Sequence, residues 1–217
     1  MACAICEKRK EKRFCPAVHG RICPQCCGEQ REVTLDCPSE CPYLQQAREH
    51  EKPRSIEELD QNALFPKVEV GQPFVYEQEH LILGLSFALA KSAHGDREVR
   101  DSDLISALAG LAKTYETLSN SGLHFEAPVT NLSHQAIAAE VQKMIKEYRE
   151  AEHKHIGYTR LRDSDVLRAL VFLLRMAMSR TSGRPKSRAF VDFLFQQFPE
   201  RQSAIAAPQE ASRIIVP

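Results

Sequence analysis

The chain has 217 residues, equal numbers of acidic and basic side chains, 7% aromatic residues and no tryptophan. Its longest apolar runs, 81–90 and 169–174, fall well short of the roughly 20 residues that span a bilayer, so no membrane-spanning helix is expected. The length fits one or two domains, and zero net charge argues against a protein that is basic overall, as nucleic-acid binders commonly are.

All eight cysteines lie within the first 41 residues, and seven of them with one histidine form four pairs. These are Cys3-x2-Cys6, Cys15-x3-His19, Cys23-x2-Cys26 or Cys23-x3-Cys27, and Cys37-x3-Cys41. Ligands with two or three residues between them chelate one ion with little chain strain, so four pairs read as two four-coordinate zinc sites. A site closed by four protein ligands leaves no position for water or substrate, which makes both ions structural.

Three of the pairs read Cys-Pro-x-x-ligand: Cys15 to His19, Cys23 to Cys27, and Cys37 to Cys41. Proline after the first ligand suits the first turn of a helix, and a partner four positions on then lies on the same face. By that analogy Cys27 is the ligand and Cys26 the spare, while the knuckle spacing Cys23-x2-Cys26 is the alternative. Disulfides would need an oxidising compartment, yet the segment MACAICEKRKEK has no apolar signal core. A redox Cys-x2-Cys would sit in a βαβ context that this sequence lacks, and an iron–sulfur cluster is the other use of four thiolates. Reduced cysteines give a cytoplasmic expectation.

Residues 1–44 hold too few apolar side chains for a core of their own, so metal binding would supply most of their folding energy, about 10 kcal/mol per structural zinc. Residues 45–75, with three prolines and no sustained period, predict a linker with a short helix. From 76 to 198 the pattern is helical. Leu104, Leu108, Leu111, Tyr115 and Leu118 form one stripe, and Ile137, Val141, Met144 and Tyr148 another. Runs 81–90 and 166–178 are apolar nearly all round and predict central helices, while Phe190, Leu194 and Phe198 mark a short last one. The expectation is an all-α bundle of about five helices, followed by a flexible tail over 199–217.

A repeat runs through the helical part. Arg100-Asp101-Ser102-Asp103 returns 62 residues later as Arg162-Asp163-Ser164-Asp165, and seven of the 13 aligned positions are identical. Such a segment is a good helix start, since its acids favour the positive end of the dipole. In-phase Ala and Leu matches after it suggest a duplicated helical hairpin stacked into one bundle.

Charge is uneven along the chain. Residues 154–190 carry nine Lys/Arg against two Asp, and 45–79 carry four basic against eight acidic groups. These stretches are either solvated faces that pair with each other or, for the basic one, a phosphate-binding face. Arg180, Arg184, Lys186 and Arg188 surround a Gly-Arg-Pro-Lys core that is similar to an AT-hook, which makes them candidate nucleic-acid contacts. No Gly-rich phosphate loop, nucleophile elbow or His-Glu-x-x-His motif is present, and no catalytic residue can be named.

The segment Arg13-Phe14-Cys15-Pro16 followed by Ile22-Cys23-Pro24-x-x-Cys27 resembles HIT-type and MYND-type fingers, and the overall spacing is similar to B-box domains. The resemblance implies a cross-braced module: Cys3, Cys6, Cys23 and Cys27 hold one zinc, and Cys15, His19, Cys37 and Cys41 the other. It covers about a fifth of the chain. His19 stands where HIT fingers usually have cysteine. The resemblance further implies a role in docking macromolecules, chiefly proteins, with E3-like ubiquitin-type ligase components among the wider group. The resulting expectation is a non-enzymatic zinc-binding adaptor for an unidentified protein partner, with nucleic-acid binding through 154–190 as the alternative.

Overall fold

A computed structural model describes residues 1–52, 54–122 and 131–199. The expected flexible tail lies outside the described residues, apart from position 199. Among these residues the chain forms eight α-helices and one two-stranded sheet. No helix is long and apolar enough to cross a membrane.

The N-terminal part is built on Cys-Pro steps. Strands β1 (Arg13–Cys15) and β2 (Gly20–Ile22) pair antiparallel, with Phe14 opposite Arg21 and Cys15 opposite Gly20. Between them Pro16–Val18 makes a single 3-10 turn, closed by His19 in the left-handed region at φ 47°. Helix α1 (Pro24–Gln30) and helix α2 (Pro42–His50) each carry proline in the first turn, where a missing N–H costs nothing, and each is capped by a cysteine. Cys3, Cys15, Ile22, Cys23, Cys26, Cys27 and Leu35 form a small buried cluster.

Helices α3 (Gln72–Glu77), α4 (Glu79–Gly95), α5 (Asp101–Ser121), α6 (Leu132–Ile156), α7 (Asp163–Arg180) and α8 (Ala189–Gln197) follow. Helix α5 packs on α7, α4 on α6, and α8 on α4. Both predicted stripes belong to or pack against the core, except Leu118 at the end of the first. Leu85, Leu108, Ile145, Leu170 and Leu194 are all buried. Gly84 lets α6 come close: a Cβ there would stand 2.8 Å from the Met144 sulfur. Run 81–90 is not buried all round, because Leu83 and Phe87 face outward.

The repeated segments each open a helix, α5 and α7, and those two helices pack together. Their surroundings differ. Asp101 is 1% exposed and accepts hydrogen bonds from Ser187 Oγ and from the backbone N–H groups of Phe190 and Val191. Asp163, half-exposed, pairs instead with Arg149.

The segment expected to be a linker is strapped to the bundle. Leu59 and Leu64 are buried, and Arg175 of α7 donates to the carbonyls of Leu64, Phe65 and Val68. Arg168 reaches the carbonyl of Glu69 and stacks on Phe74. The prolines break periodicity, so sequence pattern gave no sign that cations on a distant helix would satisfy this backbone.

Candidate metal centre

The sulfurs of Cys3, Cys6, Cys23 and Cys26 lie within 4.8 Å of one another, and all but Cys6 are buried. Tetrahedral zinc with bonds of about 2.3 Å sets its sulfurs about 3.8 Å apart, so a small contraction closes this set around an ion. Local backbone geometry builds it. Residues 2–10 fold back on themselves, with Ala2 bridged to Lys10 and Cys3 N–H donating to Arg9 O at 2.8 Å. Glu7, at φ 54°, takes the left-handed turn after the first pair. The second half comes from the start of α1. Cys23 is the N-cap, and its sulfur accepts from the N–H of Cys26 at 3.4 Å, while Cys23 N–H points at Cys3 Sγ at 3.2 Å.

The two cysteines that follow Cys23 are placed differently. The structure brings Cys26, not Cys27, into the cluster. The same-face argument for Cys27 treats Cys23 as helical. In fact Cys23 is extended at ψ 155°, and an N-cap side chain meets the residue three positions on.

The electrostatics suit a cation. Amide N–H groups of Cys6, Cys23 and Ile5 overcome burial and pull the Cys3 thiol down to about 6. The Cys26 N–H leads in lowering Cys23, helped by Arg9, whose guanidinium stands 4.0 Å from the sulfur. Cys26 goes the other way: burial and its three cysteine neighbours push it up to about 12. A site that already favours thiolate at some positions and crowds the remaining sulfurs together is one in which a divalent metal replaces protons.

The other expected ligands are less tightly gathered. The first cluster is the one group of three or more metal-binding side chains among the described residues with all donor atoms that close. Cys15 and Cys41 are buried, Cys37 is half-exposed and His19 exposed. Burial raises the Cys37 thiol, and the neighbouring Cys15, Cys41 and Glu32 charges raise it further, against the Glu32 N–H that donates to it.

The basic loop between α7 and α8 turns toward this module. Arg184 donates to the carbonyls of Gly28 (3.2 Å) and Arg31 (2.7 Å), and Lys186 Nζ to that of Thr34 (2.9 Å). Arg188 donates to Arg97 O, and Arg180 lies over the Phe193 ring. Each candidate nucleic-acid contact thus has a partner within the chain.

Sequence reading missed the centre of this interface. Glu32, 2% exposed at φ 53°, accepts from Arg48 at 2.8 Å and Ser182 Oγ at 3.0 Å, and its carbonyl accepts from Lys186 N–H. Arg48 also pairs with Asp192 of α8, which receives Ser39 Oγ. Beside it opens a cleft of about 1190 Å³ lined by Cys37, His94, Arg100 and Phe195 among others. Its charged walls pair internally, Arg100 with Asp36 and Glu98.

No protein-family model matches the chain, and neither a curated protein nor a solved structure matches it.

Proposed function

We propose that the chain is a cytoplasmic zinc-binding, non-enzymatic adaptor that docks a macromolecular partner, a protein in the first instance. The observation that carries this reading is the four-cysteine cluster: with four protein thiols as ligands, a bound zinc has no open position for chemistry and acts as a fold-maker. A module of 1–44 stabilised in this way, in the style of the cross-braced fingers, presents surface to a partner, and a bundle over 76–198 derived from a repeated helical hairpin presents a second. On the module, Phe14 of the hairpin is 55% exposed, and Val18 and Val33 are exposed as well. Apolar side chains on a small rigid scaffold are typical docking anchors.

The engagement of Arg180, Arg184, Lys186 and Arg188 within the chain favours this reading over nucleic-acid binding.

The test is in-cell photocrosslinking from position 18, comparing the wild-type background with Phe14→Ala. Adducts to a defined protein that disappear with Phe14→Ala while zinc content is unchanged support the adaptor. Adducts that are absent, or indifferent to Phe14, contradict docking through this face.

A further inference from the structure

We propose that the module holds a second metal ion through Cys15, Cys27, Cys37 and Cys41, with Cys27 taking the place that the finger resemblance gives to His19. The proposal rests on reading the module as metal-binding, and it reassigns the ligands of its second site.

Helix α1 is where the two sites divide. Consecutive helical side chains point about 100° apart, so Cys26 and Cys27 cannot serve the same ion. With Cys26 turned to Cys3, Cys6 and Cys23, Cys27 is directed elsewhere. It is 8% exposed, and its sulfur receives Arg13 Nη1 at 3.6 Å and Arg31 Nη2 at 3.8 Å. Two guanidinium groups beside one buried sulfur supply positive charge that would offset a metal-bound thiolate.

Arg13 shows which residues share that side. In a strand, residues two apart face the same way, so Cys15 points with Arg13 and away from exposed Phe14. The Arg13 guanidinium that touches Cys27 also lies 4.6 Å over the ring of Tyr43, two residues beyond Cys41. Cys37 lies within electrostatic reach of both Cys15 and Cys41. Cys15 and Cys27 belong to one buried cluster, and Cys37 and Tyr43, two residues after Cys41, pack against it. His19 is exposed, on a left-handed residue at the turn.

The assignment also accounts for every cysteine: eight thiols make two four-thiolate sites with none left over. Four thiolates around a divalent ion carry a net charge of −2, and each set has arginine beside it: Arg9 at Cys23, Arg13 and Arg31 at Cys27. The second set is looser than the first. Half-exposed Cys37, on the irregular stretch before α2, is the ligand that moves inward on binding.

The experiment loads the full chain with cadmium-113 for NMR and counts zinc by native mass spectrometry in wild type, Cys27→Ser and His19→Ala. Two cadmium resonances in the all-thiolate region are expected, with zinc falling from two to one in Cys27→Ser and staying at two in His19→Ala. A resonance in the mixed thiolate–imidazole region that His19→Ala abolishes would overturn the ligand assignment while leaving two ions. A single metal in wild type would overturn the second site and leave the Cys3/Cys6/Cys23/Cys26 site standing, whereas no metal at all would be a failure of the metal-binding reading itself. Should Cys27→Ser not fold, the wild-type cadmium spectrum and His19→Ala decide the matter alone.

Discussion

Arg184, in the loop between α7 and α8, donates to the carbonyl of Arg31 at 2.7 Å, and the Arg31 side chain in turn reaches the sulfur of Cys27. A single relay of two arginines thus runs from the helical bundle to the cysteine-rich module. The same guanidinium also holds the Gly28 carbonyl at the end of α1. Truncating Arg184→Ala leaves two half-buried carbonyls without their donor, which costs about 2 kcal/mol and lowers the melting temperature by about 4–8 °C. Arg184→Lys recovers little of this, because one ammonium does not reproduce the planar fork. Differential scanning calorimetry of the three proteins checks both statements.

Arg48→Ala should be the more damaging change. It strands Glu32, whose side chain is nearly fully buried, as an unpaired charge, and breaking such a pair costs about 3 kcal/mol. Adding Glu32→Gln to Arg48→Ala removes the stranded charge and restores part of the loss. Urea unfolding of the single and double variants measures it. A double variant less stable than Arg48→Ala alone would mean that Glu32 contributes through its other acceptor bonds rather than through the pair.

The bundle was legible because its signals are local. Leu104, Leu108 and Leu111 recur at helical spacing and are buried, and the acidic starts at Asp101 and Asp163 open helices where expected. The Cys-Pro steps at Pro16 and Pro24 likewise open helical turns, whereas Pro38 leads only into a turn and the helix there starts at Pro42. What could not be read were partners far apart in sequence. Asp101 doubles as the anchor for the start of α8, Arg175 satisfies the backbone of 64–68, and Glu32 joins two regions of the chain. None of these has a sequence period. The choice of Cys26 was readable in principle, since a cysteine before proline at a helix start is a cap and meets the third residue after it.

Nucleic-acid binding tests the fate of the basic loop. With Arg184 and Lys186 held on backbone carbonyls, titration with mixed-sequence DNA and RNA should give only weak binding even at low salt. A steep salt dependence that Arg180/Arg184/Arg188→Ala abolishes, in a protein still folded by circular dichroism, would favour the nucleic-acid function instead.

Zinc affinity at the first cluster should rise with pH. Cys3, lowered to about 6, is already thiolate at pH 7 and is lost as a ligand when pH falls through that value. Cys26, raised to about 12, keeps its proton in the metal-free protein throughout the neutral range and must release it on binding. Calorimetric titrations of metal-free protein in buffers of different ionisation heat, between about pH 6 and 8, should show protons released on zinc binding and tighter binding at higher pH. Binding without proton release would contradict ligation by Cys26.

Native mass spectrometry of the freshly purified full chain addresses the central claim most directly. The expected spectrum shows the chain with two zinc ions, with one ion lost in Cys26→Ser. A metal-free chain, or one carrying the mass of an iron–sulfur cluster, would contradict the assignment of the N-terminal cysteines to structural zinc.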